Sequence, residues 1–189
     1  MDPFPVIRGL AYLTVAGQVL AVLLFVGVIV QKVRPLKILD FLGQKSLFLA
    51  LIIVCVATGG SLFLSEVALF EPCKLCWFQR IAMYPQVVLF AVVLFSGLHP
   101  VVWRSSIILC VLGSGTAIFH YMLQMSDNPG ITDLAPCSLY GGSCTEYYIL
   151  QFGYITIPLM ALTAFVLILL LMILGRKHVL SHSSSPTFL

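Results

Sequence analysis

Apolar residues fill five long stretches of this chain, and polar residues collect between them. Leu10 to Val30 is the first, broken by Thr14, Gly17 and Gln18. Leu47 to Phe70, Trp77 to Gly97, Val101 to Met125 and Tyr154 to Leu174 follow. The hydrocarbon core of a bilayer is about 30 Å thick and needs about 20 apolar residues as helix. Each stretch is long enough, so the pattern predicts five transmembrane helices. The first is too long for the apolar part of a signal peptide, and no small-x-small cleavage site follows it. It therefore reads as a retained anchor.

Composition agrees with the pattern. Of 189 residues, 60% are hydrophobic and 9% charged, against about 25% charged in a soluble domain. Mean hydropathy is +1.08. A soluble domain of this size could not cover its surface with so few polar groups. The expected fold class is all-α, a polytopic membrane helix bundle, with lipid as its solvent. The net charge of +3 does not point to a nucleic-acid partner; its distribution matters instead. Lys32, Arg34, Lys37, Lys45, Arg104, Arg176 and Lys177 fall on one side if all five stretches span. Arg8, Lys74 and Arg80 fall on the other, and Ser126 to Gly153 carries no Lys or Arg. Loop cations favour the cytoplasm. The expected topology puts the N-terminus and the Ser126–Gly153 segment outside and the C-terminus inside the cytoplasmic (inner) membrane.

Local signals refine the helices. Pro85 and Pro158 fall within predicted helices, where proline bends the chain and neighbours satisfy the freed carbonyl. Ala57 with Ser61 and Gly113 with Ala117 place small residues at the spacing of close helix packing. The tail from Ser181 to Leu189 reads as disordered.

Candidate chemistry sits in the cysteines. Cys55 and Cys110 stand alone in apolar sequence and read as small buried hydrophobes. Cys73, Cys76, Cys137 and Cys144 all fall in segments expected outside, where disulfides form and persist. Cys73-Lys-Leu-Cys76 is a Cys-x-x-Cys pair, which by itself allows either redox chemistry or metal binding. Pro72 precedes it and a helix is expected to begin about Cys76, so helix-end N–H groups would stabilise a thiolate there. Arg80 lies four residues beyond Cys76 on the same helix face. Its permanent cation favours thiolate and could hold an anionic acceptor. Cys137 and Cys144 enclose a Gly-Gly turn, so a disulfide between them is sterically easy. Asp127, Pro129, Gly130, Asp133 and Pro136 mark a polar loop ahead of them. Such a pair could exchange with a soluble partner or act as a static staple. His120 and Arg80 should lie at similar depth, roughly 6–8 Å below one membrane surface, and ionisable groups at that depth are functional candidates. Glu66 reads as an interfacial carboxylate.

With these residues in view, Gly60-Ser-Leu-Phe-Leu-Ser-Glu-Val67 and Pro72-Cys-Lys-Leu-Cys-Trp-Phe-Gln-Arg-Ile81 resemble the DsbB family of disulfide bond formation proteins, especially its short-loop BdbC type. His120-Tyr-Met-Leu-Gln124 and Phe152-Gly-Tyr-Ile-Thr-Ile-Pro-Leu159 are similar to later parts of the same family, so the resemblance covers Leu47 to Leu174. It implies a membrane thiol:quinone oxidoreductase that reoxidises an extracytoplasmic thioredoxin-like (DsbA-like) protein. By position it implies Cys73 and Cys76 as the quinone-coupled pair, with Cys76 nearest the ring. Arg80 and His120 would contact a quinone, ubiquinone or menaquinone, and Cys137 and Cys144 would be the exchange pair. The domain layout is then residues 47–175 as a DsbB-like four-helix unit. Residues 1–46 add one transmembrane helix and a cytoplasmic loop, and residues 176–189 form a cytoplasmic tail.

Three other readings compete. A vitamin-K-epoxide-reductase-like enzyme would carry its loop cysteines before the Cys-x-x-Cys, whereas here they follow it. A carrier of reductant across the membrane would need a cysteine pair inside it, and Cys55 and Cys110 do not form one in sequence. A zinc-binding, non-catalytic protein could use the four outer cysteines, although the wide Cys137–Cys144 spacing fits that poorly. No resident metal is expected.

Overall fold

A computed structural model describes residues 3–31, 34, 37–96, 100–126 and 143–183. The helices are α1 (Phe4–Gln31), α2 (Lys37–Gln44), α3 (Ser46–Glu66), α4 (Lys74–Ser96), α5 (Pro100–Met125) and α6 (Ile157–Ser183). Five of them, all but α2, are long and apolar enough to cross a membrane. The only bridge among the described residues joins Gln151 to Ile155. The protein is a polytopic, all-helical membrane protein.

The predicted spans are all present, and their ends move for identifiable reasons. α3 stops at Glu66 rather than Phe70. Leu69 adopts φ 57°, and the Ala68 and Phe70 amides turn back onto the carbonyls of Phe63 and Leu64. This is a left-handed helix stop, made here without glycine. α6 starts at Ile157 rather than Tyr154, because Phe152 (φ 54°) and Gly153 (φ 77°) form a tight turn closed by the Gln151–Ile155 bridge. Pro158 therefore falls in the first turn of α6, where its missing N–H costs nothing; it does not bend a helix interior as the sequence led us to expect. α6 also continues past Leu174 to Ser183, so Ser181–Ser183 are helical, while residues 184–189 lie outside the described part.

α2 was not anticipated. Its eight residues are too few to span, and the basic residues around them read as a loop. Leu39 is buried against Gly27 of α1, while Ile38 and Phe41 are exposed. A short helix with one apolar side at the end of a bundle suits the membrane–water boundary. The Gln31 amide donates to Asp40 at 2.8 Å, tying α2 to α1.

α3, α4, α5 and α6 pack in a ring, each against the next. α6 closes that ring and also receives α1 and α2 on its outer side. Its central position shows in its burial: 56% of its apolar window is buried, against 17% for α1. Close approach of α5 to α6 depends on Gly113, where an added Cβ would collide with the Phe165 ring. Between α4 and α5 a buried polar group is fully paired. The Gln86 amide donates to Ala82 O at 2.9 Å and accepts from Ser106 Oγ at 2.8 Å and from Cys110 Sγ at 3.5 Å. Cys110 is buried as expected, but with a polar partner. Cys55 is exposed on the outside of α3.

The Gly113–Phe165 contact gives the first prediction. Gly113→Ala should lower the thermal unfolding midpoint in detergent, because overpacking typically costs about 1–3 kcal/mol. Adding Phe165→Leu should recover most of the loss. An unchanged midpoint in the single variant would mean that α5 and α6 separate freely at this level.

Candidate functional site

The site is built on the start of α4. Pro72 brings the chain in, and Cys73 is the residue on which the helix begins. Its carbonyl accepts from the Trp77 amide at 3.2 Å, and its Sγ accepts from the Cys76 amide at 3.4 Å. A side-chain acceptor for the third helical amide is the bonding pattern of an N-cap, here with sulfur in place of oxygen. The helix therefore starts at Lys74, earlier than the sequence suggested. The sulfur that meets the helix-end amides is that of Cys73, not Cys76. The Cys73 thiol donates to Cys76 Sγ at 3.3 Å. Sharing its proton with Cys76, followed by burial, pushes the Cys73 thiol up to about 12, while its contact with His120 pulls the other way.

α5 delivers His120 to the same point. It is 2% exposed, with Nε2 3.7 Å from Cys73 Sγ and Nδ1 3.1 Å from the Gln79 side-chain nitrogen. With Gln79 donating to Nδ1, the ring proton sits on Nε2 and faces the sulfur. Turning the Gln79 amide by half a turn makes it an acceptor and moves the ring proton to Nδ1. The pair can thus offer Cys73 either a donor or an acceptor. Cys73 Sγ, Cys76 Sγ and a His120 nitrogen all lie within 4.8 Å of one another. Among the described residues, this set is the group that could hold a thiophilic metal.

Arg80 follows Cys76 by one turn, as expected, but its fork is engaged elsewhere. Nε donates to Ser61 Oγ and Nη2 to Ser61 O, both at 3.1 Å, and the guanidinium lies 5.3 Å from the Trp77 ring centre. Tyr84 also donates to Ser61 Oγ, at 3.2 Å. No hydrogen bond joins Arg80 to Cys76 among the described contacts, so its effect on that sulfur is that of a nearby charge. Cys76, Gln79 and Arg80 all line a cavity of about 340 Å³ between α3, α4 and α6, whose remaining walls are largely apolar. Polar groups at one end and hydrocarbon elsewhere fit a ligand with a polar head and an apolar tail.

Cys144 is fully buried in one cluster with Cys73, Leu75 and Leu123. The segment that carries it is bound to the end of α5. The Gln124 amide donates to Glu146 O at 3.0 Å, and the Tyr147 hydroxyl donates to Gln124 O. Phe70 stacks on Tyr148, with ring centres 5.2 Å apart. Cys137 and the polar loop before it lie outside the described residues. Glu66 is exposed at the end of α3 and accepts from Ser65 Oγ at 3.1 Å, which agrees with an interfacial carboxylate.

The structure therefore brings Cys73, Cys76, Cys144 and His120 together, with Arg80 one turn further along α4. Sequence reasoning missed Gln79, Ser61 and Tyr84. Gln79 had a signal available: it stands three residues after Cys76 on a membrane helix, where an unpaired amide is costly. Ser61 had none beyond its size.

Comparison with known proteins covers the segment that carries these residues. The family model described as "Disulfide bond formation protein DsbB" matches residues 44–175. Disulfide bond formation protein C of Bacillus subtilis is 39% identical over 133 residues, which cover 69% of this chain and 94% of that protein. Probable disulfide formation protein C of Halalkalibacterium halodurans is 42% identical over 122 residues, or 62% of this chain and 85% of that one. A probable disulfide formation protein of Metapseudomonas resinovorans is 34% identical over 132 residues, with 70% and 90% covered. No solved structure matches the chain.

The pairing of Cys73 has a measurable consequence. Its thiol is raised to about 12, so its thiolate fraction should grow about tenfold per pH unit through the neutral and mildly alkaline range. Alkylation of reduced protein, resolved by residue with mass spectrometry, should show Cys73 reactivity still climbing at about pH 10. Cys76→Ala removes the largest cause and should bring that rise to lower pH. A plateau for Cys73 below about pH 9 in the unaltered protein would contradict the shared proton.

Proposed function

The chain belongs to the DsbB family of disulfide bond formation proteins, and on that premise we propose that it is a membrane thiol:quinone oxidoreductase. Its reducing substrate is an extracytoplasmic thioredoxin-like dithiol protein. The observation that carries the reading is the position of the Cys73–Cys76 pair. Buried Cys144 and His120 flank Cys73 on one side, and on the other Cys76 opens to the cavity that Arg80 also lines. A dithiol placed in this way can take electrons from one side and release them on the other.

The sulfur chemistry balances as four exchanges. A partner thiolate attacks Cys137, breaking the Cys137–Cys144 disulfide and releasing Cys144 as thiolate. Cys144 attacks Cys73, breaking Cys73–Cys76 and releasing Cys76 as thiolate. The partner's second thiolate then frees Cys137 and leaves as a disulfide. Finally Cys137 attacks Cys144, which restores that disulfide and frees Cys73. Two electrons now reside on Cys73 and Cys76. A quinone bound in the cavity would supply the sink, taking two electrons and two protons as the Cys73–Cys76 disulfide re-forms. Within this scheme His120 exchanges a proton with Cys73, and the Gln79 amide sets which ring nitrogen carries it. Arg80 holds positive charge beside Cys76 and the cavity, fixed by Ser61. The cysteines face outward and the C-terminus lies in the cytoplasm, in accord with the loop charges. Residues 47–175 form the catalytic unit, and residues 1–46 are an addition to it.

A second reading has one observation in its favour. Cys73, Cys76 and His120 form a three-ligand set, so a bound zinc ion would make this a structural centre. Metal analysis of the purified protein separates the two readings: about one zinc per chain, with no quinone turnover, would support the second.

The primary test follows quinone absorbance with detergent-purified protein, a quinone and a reduced thioredoxin-like partner. Cys137→Ser should stop partner oxidation yet leave Cys73–Cys76 oxidisable by quinone, and Cys144→Ser should trap a mixed disulfide between Cys137 and the partner. Normal partner oxidation in both variants would reduce the pair to a staple.

Arg80 gives a graded test. Hydrogen bonds to charged groups contribute about 1.5–3 kcal/mol, so Arg80→Met should raise the quinone KM by about ten- to a hundredfold. Arg80→Lys keeps the charge but loses the fork held by Ser61, and should fall between. An unchanged KM in Arg80→Met would leave Arg80 as a membrane-surface anchor.

A further inference from the structure

We propose that α1 is the lateral wall of the quinone cavity and selects for the isoprenoid tail of the quinone. The inference rests on the quinone reading above and gives a role to a helix outside the family-matched segment, residues 44–175. The cavity beside Cys76 lies within α3, α4 and α6 at its polar end. Leu10, Leu13, Thr14 and Gly17 of α1 complete its lining. Without α1 this side of the α3–α6 groove would face lipid.

Glycines set how closely that wall approaches. A Cβ on Gly17 would stand 3.1 Å from Thr163 Cγ2 and 3.2 Å from Leu167 Cδ1, so the α1 backbone lies directly on α6. On α3, a Cβ on Gly60 would stand 3.2 Å from Leu10 Cδ2. The helix is also pinned to the segment before α6, where Tyr154 donates to Gln18 Oε1 at 3.1 Å and Tyr12 meets Phe152 edge-on. What α1 offers the cavity is hydrocarbon. Thr14 is its one polar side chain there, and its hydroxyl proton is turned back onto Leu10 O at 2.8 Å. Head-group recognition therefore stays with α4, while α1 can read only the shape of an apolar chain. A branched isoprenoid tail attached to a ring beside Cys76 must pass this wall; a tailless ring need not touch it.

Direct binding provides the test. Full-length protein in detergent is exposed to two photoreactive quinones, one with a diazirine on the first isoprene unit and one with it on the ring. The tail probe should label the peptide containing Leu10, Leu13 and Gly17, and the ring probe should label α4. Excess unlabelled tailed quinone should abolish both. Leu13 is 59% exposed, so Leu13→Trp can be made without disturbing the α1–α6 contact. It should weaken binding of a tailed quinone about tenfold, equivalent to about 1.4 kcal/mol, and leave a tailless quinone unaffected. Label on α1 that is displaced by phospholipid but not by quinone would identify an acyl chain as the occupant and overturn the proposal. So would tail label absent from α1, or equal loss for both quinones in Leu13→Trp. If neither quinone binds the unaltered protein, the quinone reading itself fails, and the inference with it.

Discussion

Hydrocarbon leaves no water to bond with peptide groups, so backbone inside a bilayer must satisfy itself as helix. Everything in this molecule follows from that demand. The Cys73–Cys76 pair occupies the one place where a membrane helix has spare amides, its first turn. Cys73 takes the Cys76 amide on its own sulfur. The same bond that starts α4 therefore orients the dithiol. Three residues further along, Gln79 and then Arg80 are carried to fixed positions by the helix itself. A single backbone event, the start of α4 after Pro72, sets both the geometry of the pair and the direction of the groups beneath it.

The same demand explains how polar groups are tolerated. His120 and Gln79 bond to each other, and Gln86 bonds to Ser106 and Cys110. Buried polar atoms cost free energy unless paired, and each of these pairs joins two helices. The His120–Gln79 contact holds α5 to α4 at the cysteines, and the Gln86 contacts do so farther along the bundle. The catalytic candidate and the structural network thus use one device, an amide on α4 meeting a polar group on α5. They differ in that one of them also reaches a sulfur.

α6 has the opposite character. It is the most buried of the spanning helices and supplies packing rather than chemistry. Phe165 fills the space left by Gly113, and Thr163 and Leu167 receive Gly17 of α1. Because α6 touches both the four-helix ring and the added helix, an apolar cavity is left where α1, α3 and α6 converge near α4. The cavity therefore has polar groups at one end and hydrocarbon at the other. The division follows the helices: α4 and α5 bring the polar groups, and α1, α3 and α6 bring most of the apolar ones.

By itself the sequence determined the spanning helices, because a run of about 20 apolar residues has few alternatives in water or lipid. It also determined the Cys-x-x-Cys and its relation to Arg80, because separations of three and four residues are local in a helix. Helix ends were less legible. Leu69 and Phe152 take positive φ without being glycine, and α2 is too short for its apolar content to stand out. Tertiary structure alone decided the rest. Which sulfur caps α4, that Cys144 lies against Cys73, that Gln79 faces His120 and that Ser61 holds Arg80 all depend on residues far apart in the chain. Their meeting is set by how helices pack around small residues such as Gly113 and Gly17. Packing of that kind is a property of complementary surfaces, and no local pattern in the sequence encodes it.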